Sequence, residues 1–235
     1  MTTLTIVQNA CTRLSLPKPN AVTTSTVNLN VQMLALLNEE VDSLARRATW
    51  QALTTETSFT TVAAETQGAI STIAPGLRFI INDTIQNRSL RRPVFGPLTA
   101  QRWQQYKSLS INGPWNQFRI RGGNLIFIPT PTAGQSCYFE YVTNYAVLDG
   151  DTSAAKASYT KDSDTSLLDE SLLTLGLIWR FKQSKGFDFE TDLQKYENNV
   201  RDAIGRDGSK DWLNMSDTRY DIAPGILVPS GSWNV

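Results

Sequence analysis

The chain has 235 residues, with 22 basic and 22 acidic side chains and no histidine. That length can bury a sizeable core as one large domain or two small ones. Balanced charge excludes a generic polyanion binder while leaving room for a local basic surface, and the lack of histidine removes His-based triads, His proton shuttles and the commonest metal ligand.

From the N-terminus, Thr2 to Leu14 reads as a helix with Leu4, Val7, Cys11 and Leu14 on one stripe. Pro17 and Pro19 stop it, because proline has no backbone donor to give a helix. The spacing of Val27, Val31, Leu34, Leu37, Val41, Leu44 and Ala48 predicts a second, amphipathic helix over Ser25 to Trp50. Glu39 and Glu40 precede Arg46 and Arg47 along it, the order that the helix dipole favours. Trp50 is expected to pack where this helix hands over to strands.

The pattern then changes. LTTETSFTTV is rich in threonine and alternates, as strands do. AAETQGAISTIAPG is small, polar and weakly patterned, and reads as a loop. RFIINDTIQN is the next expected strand, followed by Arg88, Arg91 and Arg92, the tightest basic cluster in the chain. These arginines read first as a solvated turn; as functional residues they suit an inter-subunit contact ahead of a phosphate-facing channel surface, since the planar guanidinium head with several donors fits either role. PVFGPLTAQRWQQYKSL holds a short helix with Trp103 and Tyr106 on its inner side. In NQFRIRGGNLIFIPTP, Gly122-Gly123 between alternating segments predicts a hairpin, because turns that match strand twist need positive φ. SCYFEYVTNYAVL is expected to add a third strand to that sheet, and Asp149 to Asp164 to be a polar link.

The densest apolar stretch follows. Ser166 to Lys185 reads as a helix buried on several sides, capped by the Asp164/Thr165/Ser166 cluster and ended by Gly186. After Asp188, the residues Phe189, Leu193, Tyr196, Val200 and Ile204 form one stripe of a second helix, closed by Gly205 and Gly208. Residues 209–235 have no period, yet they carry Trp212, Tyr220, Ile222, Ile226, Leu227, Val228 and Trp233. So many large apolar groups are unusual in a free tail, and Pro224 and Pro229 keep the strip from continuing a helix or a strand ladder. It is expected to lie on a partner, with packing on its own helices as the rival.

The rest of the chain excludes more than it offers. No apolar run reaches the ~20 residues of a membrane span, and the N-terminus lacks the basic flank and cleavage pattern of a secretory signal. Cys11 and Cys137 are too few for a disulfide framework or metal site and are expected to be buried thiols. No phosphate loop, dinucleotide fingerprint or catalytic carboxylate pair stands out, so the chain reads as a non-enzyme without cofactor or metal.

The segments TLTIVQNACTRLSLPKP, LLNEEVDSLARRATWQAL, INDTIQNRSLRRPVFGPLTAQRW, FRIRGGNLIFIPTPTAG and TSLLDESLLTLGLIWRFKQSKGFDF, in that order, resemble the head-to-tail adaptor (connector) proteins of tailed bacteriophages, above all the podovirus type. The similarity runs from Thr3 to Gly208. It implies a structural virion protein, made in the host cytoplasm, that forms a ring, usually twelvefold, beneath the portal. Such a ring extends the DNA channel, touches packaged duplex DNA transiently and carries the tail nozzle and fibres. It also implies a C-terminal arm that grips portal or a neighbouring subunit. The fold expected is α+β: a helical bundle from residues 1–50 and 165–208, an inserted antiparallel sheet with a short helix over 51–164, and an extended arm over 209–235. The rival readings are a stopper or tail-completion protein of a longer-tailed phage, a cell-wall hydrolase used at entry, and a DNA-packaging accessory.

Overall fold

A computed structural model describes residues 1–109, 113 and 115–208. The architecture is α+β, with helices at both ends of the described chain and antiparallel sheets between them.

Helix α1 (Thr3–Arg13) is capped by Thr2, whose hydroxyl accepts from the Thr5 N–H, and it buries Ile6, Val7, Ala10 and Cys11. Helix α2 (Asn28–Arg47) buries Met33, Leu37, Glu40, Val41 and Leu44. Here the expected stripe is corrected at its start: Val27 and Val31 are 57% and 52% exposed. Asn30 turns inward in their place, its amide donating to Ala21 O (3.3 Å) and Ser25 Oγ (2.8 Å), so a polar strap ties the entry of the helix. Trp50 is buried after the helix, with its indole N–H on Leu44 O at 2.8 Å.

Strand β1 (Thr54–Thr60) follows a single 3-10 turn. The segment expected to be a loop instead holds β2 (Thr66–Ala69) and a one-turn helix, α3 (Ile70–Ile73). Its small residues hide the period, and the Gln67 side chain closes the tip by accepting from Val62 N and donating to Val62 O. Next come β3 (Leu77–Ile80), β4 (Gln86–Asn87), β5 (Arg92–Pro93) and α4 (Ala100–Leu109). Trp103 of α4 is fully buried, whereas Tyr106, expected beside it, is 39% exposed. The Gly122-Gly123 hairpin forms between β6 (Gln117–Arg121) and β7 (Asn124–Ile128), with φ of 57° and 74° at the two glycines.

Strand β8 (Ser136–Thr143) does not join that hairpin. It pairs with the whole of β1, Thr54 opposite Val142 through Thr60 opposite Ser136. Its other edge takes β3 and then β4, with β5 outside β4. With both edges of β8 occupied, the third strand of the hairpin sheet is β2. A small third sheet consists of β9 (Val147–Leu148) between β10 (Ala155–Lys156) and β11 (Thr165–Ser166).

Because Thr165 and Ser166 are paired to β9, helix α5 starts later than expected, at Glu170, and runs to Lys185. Its cap is Asp169, accepting from Ser171 N at 2.8 Å, rather than the Asp164–Ser166 cluster. Gly186 ends it with φ 72°. Helix α6 (Glu190–Asp207) buries Tyr196 and Val200 but leaves Ile204 38% exposed, and it runs through Gly205 to end at Gly208.

Two cores result. One joins α1, α2, α5 and α6 with Trp50, Leu53, Val142 and Tyr159. The other, with Phe118, Phe127, Cys137 and Phe139, fills the space between the β8 sheet and the hairpin sheet. Cys11 and Cys137 are buried free thiols, and burial pushes the Cys137 thiol up to about 11.

Candidate functional site

Arg88, Arg91 and Arg92 lie on the β4–β5 hairpin, where Asn87 is paired with Arg92. The turn is built from side chains. Asn87 Oδ1 accepts from Leu90 N (3.0 Å), and the Asn87 amide donates to Gln135 Oε1 (2.7 Å). Two bonds tie it to the start of β8: Arg88 N donates to Ser136 O (3.0 Å), and Ser136 N donates to Ser89 Oγ (2.9 Å). Arg91 occupies the tip with φ 54°.

All three arginines are exposed, and they separate into two settings. The Arg88 guanidinium lies 3.6 Å from the Tyr138 ring centroid and pairs with Glu56 of β1. That of Arg92 lies 5.7 Å from the Trp115 ring centroid, and Trp115 meets Phe95 edge to face at 6.0 Å. Leu90, Phe95 and Trp115 are 45%, 44% and 43% exposed. The hairpin end therefore presents cations set among aromatic and aliphatic groups, a mixture enriched where proteins meet one another. The sequence reading picked out the cations and missed their apolar neighbours. Their signal was position: Phe95 and Trp115 fall in Gly- and Pro-rich connections, outside any periodic stripe.

A second charged group lies inside the bundle. The Glu40 carboxylate, fully buried, accepts from Arg180 Nε at 2.5 Å and from the Tyr196 hydroxyl. It joins α2, α5 and α6 in one network. Burial raises the Glu40 pKa, outweighing the pull of the Tyr196 and Arg180 hydrogen bonds. Burial first, and the Glu40 charge second, hold the Tyr196 phenol far above its ordinary value. The carboxylate fits because residue 176 of α5 is glycine: a Cβ there would collide with the Glu40 side chain. Sequence reading took Glu40 as a dipole charge, although 33, 37, 40, 41 and 44 is a helical stripe. Sealed from solvent, Glu40 sets how three helices sit together and has no access to a substrate.

The segment expected to be a polar link is an ordered lock. Asp164 accepts from Thr160 N and Lys161 N, both at 2.8 Å, and from Gly150 N at 3.2 Å, and it pairs with Lys156 at 2.7 Å. Burial works to raise its pKa, but those donors prevail and hold it below the usual carboxylate range. Lys161 and Lys156 likewise hold Asp149 well below that range. Asp162 reaches across to Thr23, accepting from its N–H at 2.8 Å. The oxygens of this acidic run are thus engaged by lysines and backbone donors.

The other expected contact residues, Trp212, Tyr220, Ile222, Ile226, Leu227, Val228 and Trp233, lie outside the described residues. Among the described residues no helix is long and apolar enough to cross a membrane. A family model described as SU10 adaptor protein matches residues 1–222. Among curated proteins none matches the chain.

Proposed function

The chain belongs to the SU10 adaptor protein family, and from that premise we propose that it is the head-to-tail adaptor of a tailed bacteriophage, a ring of copies beneath the portal. The observation that carries this reading is the extent of the family match, which takes in nearly the whole chain rather than one module. In this role the protein is structural: it extends the DNA channel and seats the tail nozzle and fibres.

The bundle of residues 1–50 and 165–208, the inserted region 51–164 and the arm 209–235 divide the work. The arm, through Trp212, Tyr220, Ile222, Ile226, Leu227, Val228 and Trp233, grips portal or an adjacent subunit; Trp and Tyr are the types that most often dominate interfaces. For the hairpin end, Leu90, Phe95 and Trp115 beside Arg88, Arg91 and Arg92 favour a contact between subunits over a channel wall. A surface past which duplex DNA slides has no use for exposed apolar groups, whereas an interface buries them.

Mixing the purified chain with its phage portal, followed by sedimentation and imaging down the axis, tests the proposal. The free chain should sediment as a monomer at micromolar concentration and form a ring only on the portal, where high local concentration makes weak contacts suffice. Absence of any portal complex would remove the adaptor reading. Turnover of peptidoglycan would favour the hydrolase, and tight salt-sensitive binding of duplex DNA by the free chain would favour the packaging accessory.

A further inference from the structure

The hairpin end and a groove in the helical bundle sit at opposite ends of one strand. β1 starts at Thr54, just after Ala52, which lines the groove. At the other end Thr60 is opposite Ser136, and Ser136 is bonded to Arg88 and Ser89 of the β4–β5 turn. The length of β1 between them is about 20 Å at ~3.3 Å per residue. The turn of a copy therefore cannot fill the groove of that same copy.

The first turn of α5, the last turns of α6 and Trp50 with Ala52 frame the groove, about 550 Å3 in volume. Trp50, Leu167 and Ala203 give it an apolar lining, and Asp169, Asp202 and Asp207 outnumber Arg206 at its edge. Asp207 is held there, its carboxylate accepting from Gln51 N at 2.8 Å. Among the described residues the neighbouring charges are paired off: Glu170 with the N-terminal amine, and Arg47 with Glu197, which Arg201 also attracts. The positive end of α5 and the negative end of α6 both open here and offset each other. The groove is left acidic.

The turn has the opposite character. Arg88 is held by Glu56, with Glu140 beside that pair. Arg91 occupies the tip with Arg92 next to it, and Leu90, just before them, is exposed. The same contrast runs through the chain. Residues 51–143, which build the two larger sheets, carry eight basic and four acidic side chains, whereas the rest carries fourteen and eighteen.

We infer that the β4–β5 turn of one copy docks in the Trp50 groove of the next, with Leu90 on the apolar lining and Arg91 and Arg92 facing the three aspartates. This pairing rests on the reading of the hairpin end as a contact between subunits, and adds what receives it. Docking withdraws Leu90 from water, and the opposed charges fix register and speed encounter. A plug and a socket at opposite ends of one strand make a head-to-tail contact, the heterologous kind that closes into a ring or runs on as a filament.

Disulfide cross-linking between separately purified full-length variants tests this without portal. Leu90→Cys is mixed with Ala203→Cys under mild oxidation at near-millimolar concentration, where weak contacts are populated; Cys11 and Cys137 are buried and react slowly. Docking raises the local thiol concentration, so the mixed 90–203 dimer should form on the order of tenfold faster than a dimer of Leu90→Cys with Val31→Cys, whose site is exposed on α2. Adding Arg91→Glu to the first chain should slow the 90–203 link toward that background, and Asp202→Arg on its partner should restore it. A 90–203 rate no higher than the 90–31 rate overturns the inference and leaves the groove to another occupant. So does a Leu90→Cys dimer with itself that outruns the mixed one, which would set two turns tip to tip, or a rate that Arg91→Glu leaves unchanged. A ring that forms on portal without the 90–203 link would keep the adaptor reading and discard this contact alone. Far-UV circular dichroism checks folding, and Ala52→Cys, also in the lining, serves if Ala203→Cys does not fold.

Discussion

Gly176 shows how one missing side chain can fix a helix pair. In an exposed helix, alanine would stabilise over glycine by about 1 kcal/mol. Here the added methyl collides with the Glu40 carboxylate, and overpacking of a filled core costs typically ~1–3 kcal/mol. Moving Glu40 aside would also unmake its bonds to Arg180 and Tyr196. The collision should win, so Gly176→Ala is expected to lower the melting temperature, by roughly 2–4 °C for each kcal/mol lost. A rise instead would show that Glu40 swings clear. Asp164 carries a pH prediction. Its folded pKa is depressed, so its contribution is present above the unfolded carboxylate value of ~3.9 and is lost as pH falls through the folded value. Glu40, with a raised pKa, acts with the opposite sign. The wild-type melting temperature should therefore fall below about pH 4. Asp164→Asn should lower it near neutrality, by a loss of about 1.5–3 kcal/mol typical of charged hydrogen bonds, and flatten the acid limb. An acid limb unchanged in Asp164→Asn would show that other carboxylates set it.

At the scale of elements, the hairpin end makes a sharp separation possible. Arg88 pairs with Glu56 where both side chains are about half exposed, and such pairs contribute ~0–1 kcal/mol. Replacing Arg88, Arg91 and Arg92 with glutamine should leave the monomer's melting temperature within a few degrees while ring assembly on portal fails in sedimentation. A monomer that unfolds would make the arginines internal supports. The elements most legible in sequence were those whose signal is local. The Gly122-Gly123 turn, the Gly186 stop and the apolar length of α5 each follow from a few adjacent residues. What escaped was decided by distant partners. β2 has little pattern of its own and exists because β7 offers it an edge. β8 looked like a neighbour of the hairpin in sequence but is claimed by β1, some eighty residues earlier. The start of α5 moved because Thr165 and Ser166 are held by β9. At the candidate site, cations were visible as a run, whereas Phe95 and Trp115 become part of it only when the chain folds.

For the whole molecule, β8 is the member shared by both cores. Cys137, Phe139 and Tyr141 project from one face into the sheet core, and Val142 from the other into the helical core. Helical and aromatic signals should therefore be lost in one coincident thermal transition, as expected of a single cooperative unit; two separated transitions would show that the cores melt independently. The same strand has a consequence for force. Tension along its axis loads the ladder bonds to β1, β3 and β4 in parallel shear, so they must fail together. A pull across the strand peels them one at a time. The fold is thus stiff along one direction and weak along another, and which of the two a load meets depends on how β8 is oriented to it.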